Sequence, residues 1–297
     1  MSRRKITIFS IPKPFNGLFQ TIQLNAINSW LELTDDIILF GKDEGVAEVA
    51  KRLGLRHILH ISTSKYGTPL MSDPVTLATK LARYPILAYV NCDIILLSDF
   101  VEAVTKIKLG KYLVVGQRRA LNIEQQLVGT VGWRKKIETL LVLQNSRPIT
   151  GGSDYFIYPN YINFPIPPFA VGRLFWDSWF MWYARSTGIP IVNATQVITA
   201  IHQQHYQGFE KHSYGELNLG EETQINLRLL GRRIYSLKVY DADYTLTEKG
   251  LVKPALTANR LIRRSEIFLM LQAQRYKIWL PLLFIVEKMR GWFIRFK

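Results

Sequence analysis

A mostly parallel α/β sheet, covered by helices on both faces, is the fold class predicted by the first 116 residues. Short β-branched runs recur at residues 6–11, 36–41, 56–61, 85–91 and 111–116. Helix-like stretches separate several of them. Strands alternating with helices of roughly ten to fifteen residues build parallel sheets that are buried on both sides. A further observation marks the working edge: the fourth run reads YVNC and delivers Asp93 just past its end. Ligands of such sheets bind beyond the carboxyl ends of the strands.

The elements follow in order. Residues 6–11, ITIFSI, form the first strand, and IPKPFNG its following loop. Leu24, Ile27 and Leu31 recur at helical spacing within residues 21–31. The second strand runs into FGKDEG, an acidic loop. Asp73 and Pro74 open another helix, an acid at the cap and a proline at the first helical position, and Pro85 stops it after Tyr84. After Gly116 the alternation gives way to a basic, helical insertion over residues 117–144, then to GGSDYFIYP at 151–159. GRLFWDSWFMWYA, at 172–184, reads as a helix with Asp177 between Trp176 and Trp179. An acid among aromatics is desolvated, which raises its pKa and suits a general base; a carboxylate favoured by the helix dipole is the alternative. The chain divides into an α/β domain, 1–238, and an extension, 239–297, that ends in a basic, aromatic, helical tail.

Composition narrows the partners. The 297 residues are 48% hydrophobic and 21% charged, an ordinary globular balance. Lys and Arg number 38 against 23 Asp and Glu, and the net +15 favours nucleotide phosphates, nucleic acid or an acidic membrane surface. The basic residues are dispersed, with no RNA- or DNA-binding signature, which argues against nucleic acid. Cys92 is the single cysteine, so an intrachain disulfide is ruled out; a free cysteine belongs in the core. The basic start, MSRRKITIFSIPKPF, has a short apolar stretch followed closely by Pro12 and Pro14. It does not read as a signal peptide, and the expectation is a cytoplasmic protein. The absence of GxGxxG and GxxxxGK[ST] argues against dinucleotide oxidoreductases and phosphate-loop NTPases.

YVNCDIIL, GGSDYFIYP, GRLFWDSWFMWYA and AIHQQH, in this order, resemble a nucleotide-sugar-dependent glycosyltransferase of the GT-A fold. The resemblance implies a divalent cation, Mn2+ or Mg2+, held against the donor diphosphate by an Asp-any-Asp motif after the fourth strand. Here that motif reads Asn91-Cys92-Asp93, so one carboxylate remains. It also implies a later histidine as a metal ligand. His202 and His205 are the candidates, with His202 favoured because it follows the apolar run 197–201. Phe9, Ser10 and Pro12 would pass under the nucleotide. Asp43 or Glu44 would accept hydrogen bonds from base or ribose, or else sit in a solvated loop. Asn91 and Asp93 would face the donor, and Arg173 would pair with its phosphate or with a carboxylate. Asp177 would be the base if the anomeric centre inverts, and an acceptor or sugar contact if it is retained. Asp154 is the second choice for the base, or a sugar ligand. The sequence departs from the family pattern at Asn91, at Asn193 and after His205, where acids are expected. The implied partners are a nucleotide-sugar donor and a glycan or lipid-linked acceptor. A nucleotidyltransferase of similar fold would need a loop rich in Gly and Lys or Arg after the first strand, and IPKPFNG has a single Lys.

The tail carries its own expectation. Residues 260–297 hold nine Lys and Arg against two Glu, so 9 − 2 gives +7. The longest uncharged stretch, 278–286, is interrupted by Pro281, and a bilayer span takes about 20 apolar residues. Ile278, Leu282, Ile285, Met289, Trp292 and Phe296 share one helical stripe flanked by Arg295 and Lys297. This pattern describes an interfacial helix on an anionic membrane surface, or a helix packed on the catalytic domain.

Overall fold

All five residues of the strand Ile6–Ser10 are buried, as a strand with neighbours on both edges and helices on both faces requires. The computed structural model describes residues 5–149, 153–205, 220–231 and 236–295, with side chains of the last segment through Lys288. In chain order the elements are β1 Ile6–Ser10, α1 Gly17–Leu31, β2 Ile37–Phe40, α2 Val46–Leu53, β3 Arg56–Ile58, α3 Ser72–Leu81, β4 Ile86–Val90, β5 Ile94–Leu96, α4 Asp99–Thr105, β6 Leu113–Val115, β7 Arg119–Leu121, α5 Trp133–Leu143, β8 Tyr155–Pro159, α6 Trp176–Ser186, β9 Ile191–Asn193, β10 Ala200–Gln203, α7 Glu221–Leu230, β11 Tyr244–Thr247, β12 Gly250–Val252, α8 Ala258–Arg275 and α9 Leu280–Arg295.

The main sheet has the order β12-β11-β9-β6-β8-β4-β1-β2-β3. β3, β2, β1 and β4 pair in parallel, as do β6, β9 and β11. β8 runs antiparallel between β4 and β6 and joins the two parallel halves. The period of two sorts the side chains. Ile38, Phe40, Leu87, Tyr89, Phe156 and Tyr158 face one core, whereas Ile37, Leu39, Ala88, Val90, Tyr155 and Ile157 face the other. α3, α6 and α8 cover the first face through Val75, Phe180 and Met270. α1, α2 and α4 cover the second through Trp30, Val49 and Phe100. The fold class expected from the sequence is therefore the observed one.

A separate three-stranded sheet, β5-β10-β7, stands beside the main one. The insertion expected to be helical supplies β7 before it supplies α5. Trp133 and Ile137 of α5 pack with Ile95, Leu121 and Ile201 in a third apolar cluster beneath this small sheet. At the carboxyl end of the chain, β11 adds to the main sheet beside β9, and α8 packs Ile267, Met270 and Ala273 into the same core as α6. Among the described residues no helix is long and apolar enough to cross a membrane.

Candidate active site

The carboxyl ends of β1 and β4 open on a cleft of about 540 Å³ lined, among others, by Pro12, Lys13, Asp93, Arg118, Arg173 and Trp176. Three local choices build its floor. β4 ends at Val90, and Asn91, Cys92 and Asp93 turn the chain into β5, with Ile94 N–H donating to Asn91 C=O at 3.0 Å. β10 then pairs antiparallel with β5 so that His202 lies opposite Ile94. Gln203, the next residue, points inward, where its side-chain amide donates to Ile22 C=O at 2.8 Å and accepts from Asn25 at 3.0 Å. Alternation along the strand thus turns His202 toward the cleft.

His205 arrives by a different route. On a continuous strand, residues three apart point to opposite faces, but β10 stops at Gln203 and the chain bends. Both imidazole Nε2 atoms converge on one oxygen, Asp93 Oδ2, at 3.3 Å from His202 and 3.2 Å from His205. Phe19 packs its ring 5.1 Å from that of His205 and helps to fix it. The ligand atoms of Asp93, His202 and His205 all lie within 4.8 Å of one another. Burial would raise the Asp93 pKa, but the two imidazoles outweigh it and hold the carboxylate well below its usual range. Its other oxygen, Oδ1, is buried and makes no hydrogen bond among the described residues. One carboxylate and two imidazoles within this radius, with a buried oxygen unused, fit a divalent metal ion.

A second polar chain runs along the cleft. Tyr89 O–H donates to Asn91 Oδ1 at 2.9 Å, Asn91 Nδ2 donates to Asp154 Oδ1 at 2.9 Å, and Arg118 Nη1 donates to both oxygens of Asp154 at 2.7 and 2.6 Å. Asn91, where the family pattern has an acid, is thus an orienting group for Asp154. Asp177 lies in the first turn of α6, half-buried, and its carboxylate accepts from Ser178 N–H at 2.8 Å. Burial pushes its pKa up, the charge of Asp154 adds to this, and backbone N–H donors partly offset it. The helix is entered through Phe175 at φ 87°, a left-handed conformation that costs a bulky residue about 1–3 kcal/mol. Trp176, not Asp177, lines the cleft wall.

The remaining sequence candidates are distributed unevenly. Pro12, Asp43 and Arg173 line the cleft; burial raises the Asp43 pKa against the influence of Lys42. Arg173 pairs with Glu222 at 2.8 Å. Phe9 and Ser10 are fully buried beneath the cleft, the first against Phe40 and Tyr89, the second donating to Val90 C=O at 2.6 Å. Glu44 accepts from Asn16 at 3.4 Å. Gly151 and Gly152 lie outside the described residues. Sequence reasoning missed Lys13 and Arg118. Lys13 stands 4.4 Å over the Phe19 ring; burial lowers its pKa, Asp93 opposes this and Arg173 adds to it. The single Lys of IPKPFNG was its only signal, and Arg118 had none.

The mostly parallel sheet covered by helices on both faces is a GT-A-like fold, and a carboxylate and two imidazoles meet at its carboxyl edge. Among solved structures, the chain is similar to S. aureus TarS 1–349 in complex with UDP-GlcNAc, with a TM-score of 0.51 at 14% identity over 92% of this chain and 73% of that one. A second crystal structure of S. aureus TarS 1–349 gives a TM-score of 0.41 at 14% identity over 68% of this chain and 58% of that chain. GalNAc-T7 with UDP, GalNAc and Mn2+ gives 0.45 at 8% identity over 76% and 50%. The chain spans less than two thirds of the length of these last two. No family model matches the sequence, and no curated protein matches it.

Proposed function

We propose that this chain is a divalent-metal-dependent glycosyltransferase that moves a sugar from a nucleotide-sugar donor to an acceptor hydroxyl. The observation that carries this reading is the convergence of Asp93, His202 and His205 in a cleft that also holds Lys13. A divalent cation on these three residues would supply Lewis-acid stabilisation of the departing nucleoside diphosphate. Two imidazoles in the donor set suit Mn2+ better than Mg2+, which prefers oxygen ligands. Lys13 and Arg173 face the same space and contribute positive charge to the diphosphate. Asp154, fixed by Arg118 and Asn91, is oriented to accept hydrogen bonds from sugar hydroxyls. Asp177, one residue past the cleft-wall Trp176 and with its pKa raised, would take the acceptor proton if the acceptor enters on that side and the reaction inverts the anomeric centre. TarS, bound to UDP-GlcNAc, supplies the first donor to try. The acceptor we assign is a glycan or lipid-linked hydroxyl met at the cytoplasmic face of an anionic membrane, a reading supported by the +7 of residues 260–297.

Thermal-shift titration with UDP-GlcNAc and other nucleotide sugars, with and without Mn2+ or Mg2+, tests the reading. A donor at a hundred times its Kd stabilises by about 2.7 kcal/mol, and the stabilisation should require metal, Mn2+ more than Mg2+. Asp93→Asn should abolish the metal-dependent part and leave the unliganded melting profile cooperative. Retention of full metal-dependent donor binding by this variant would overturn the site.

A further inference from the structure

The carboxyl-terminal hairpin of α8 and α9 presents a face that its packing on the core does not use. Ile267, Met270, Ala273 and Leu283 turn inward and are buried. The end of α8 and the turn after it are exposed at Arg275, Tyr276, Lys277, Ile278 and Trp279. Ile278 is 83% exposed and Tyr276 62%. Phe284 and Ile285 continue the face along α9. Beside the turn, Phe268, Trp279, Leu282 and Val286 line an open apolar groove with Arg264 at its edge. Part of the stripe expected from the sequence lies within the described residues. Ile278 lies in the turn, Leu282 and Ile285 lie on α9, and the side chains of Met289, Trp292, Phe296, Arg295 and Lys297 fall outside the described residues.

We propose that this hairpin face docks on an anionic lipid bilayer. The charge pattern selects that occupant. Arg264, Arg275, Lys277 and Lys288 are exposed around the apolar residues, whereas Arg263, the inward cation of α8, is already paired with Asp241 and Glu266. Trp and Tyr favour the headgroup level, where one end of the ring is wet and the other apolar. Apolar side chains ringed by Lys and Arg bind anionic bilayers in this way. Tyr276, Ile278 and Trp279 enter the interface, and the four cations meet lipid phosphates. The inference deepens the membrane partner in the proposed function, and because lipid binding needs no turnover, it fails or holds apart from the chemistry.

Flotation of the full chain with vesicles of phosphatidylcholine, alone or with about a third phosphatidylglycerol, is the test. We expect binding to the anionic vesicles only, lost at high salt. Arg275→Glu with Lys277→Glu should lower partitioning at least about tenfold, and Ile278→Ser with Phe284→Ser should lower it comparably. These side chains are exposed, so the melting temperature should stay put. Lys135→Glu with Lys136→Glu on α5, matched in charge and distant in packing, should bind as the parent does. No binding, equal binding to neutral vesicles, or equal loss in the α5 control overturns the proposal. So does concentration-dependent self-association that disappears in the Ile278/Phe284 variant, since a second copy would then cover the face.

Discussion

Asp93 follows β4 and Asp177 lies in the first turn of α6, and their surroundings drive these two acids apart. Two imidazoles hold Asp93 ionised, the state a metal ligand needs. Asp177 has burial and the Asp154 charge pushing its pKa up, the direction that suits a proton acceptor near neutral pH. Asp177→Asn should therefore lower turnover by about 10²-fold or more with donor affinity nearly unchanged. Normal turnover with a verified acceptor would make Asp177 structural. The same shift has a sign for stability. A carboxyl whose folded pKa exceeds its unfolded value costs stability once ionised, so the cost develops as pH rises from the unfolded pKa through the folded one. Melting curves at pH 7 to 8 should show Asp177→Asn more stable than the parent, with the difference vanishing toward acid. Asp93 and Asp177 were both legible as candidates in the sequence, from their places after a strand and at a helix start. Lys13 and Arg118 were not, because one ordinary Lys in a loop and one Arg in an insertion carry no pattern.

At the scale of elements, α7 straps the wall of the cleft. Glu222, buried in its first turn, accepts from Ser64 Oγ at 2.5 Å and pairs with Arg173 at 2.8 Å. Its neighbour Glu221 pairs with Lys65 at 2.7 Å and accepts from the Tyr66 hydroxyl. Two adjacent acids thus hold residues 64–66 of the loop before α3, a loop whose Tyr66, Gly67 and Thr68 line the cleft. Burial would raise the Glu222 pKa, but hydrogen bonds from Ser64 and Thr68 and the Arg173 cation bring it below the ordinary glutamate value. A depressed pKa means that the strap's contribution is present above the unfolded value and is lost as pH falls through the folded one. Glu222→Ala should speed amide hydrogen exchange over residues 62–70 and raise the donor KM more than it changes kcat. Glu222→Gln, which keeps hydrogen-bonding atoms but not the charge, should fall between. Unchanged exchange in the loop would remove the strap role. None of this was legible in the sequence, since Ser64 and Glu222 stand 158 residues apart in the chain.

For the molecule as a whole, the aromatic core under α6 couples stability to the site. Phe180 is fully buried and packs its ring 4.9 Å from Phe156 on β8 and 5.1 Å from Phe164. Trp176, one turn earlier, contacts Tyr89 at the end of β4 and lines the cleft. α6 is therefore tied to the strands that carry Asn91 and Asp154. Phe180→Ala should cost about 3–5 kcal/mol in urea unfolding and, because α6 shifts with it, reduce turnover beyond the loss of folded protein. A destabilised variant with full activity per folded molecule would separate the core from the site.

The sequence by itself determined the alternation of the amino half. The runs at 6–11, 36–41, 56–61, 85–91 and 111–116 became β1, β2, β3, β4 and β6, because β-branched runs bounded by turn residues and separated by amphipathic helices have few other ways to bury their apolar atoms. It also determined that Asp93 would stand at the carboxyl edge, one turn past β4. Only the tertiary structure decided what Asp93 would meet. His202 reaches it through the pairing of β10 with β5 across 108 residues of intervening chain, and His205 through the bend after Gln203. Spacing of three along a strand predicts opposite faces, so no local rule could bring both imidazoles to one oxygen. The same holds for the hairpin at the carboxyl end, where helical periodicity grouped Ile278 with Leu282 and Ile285. Burial of Leu283 between α9 and the core fixed which side faces outward. Periodicity is a property of neighbours in the chain, whereas a site and a docking face are made by neighbours in space.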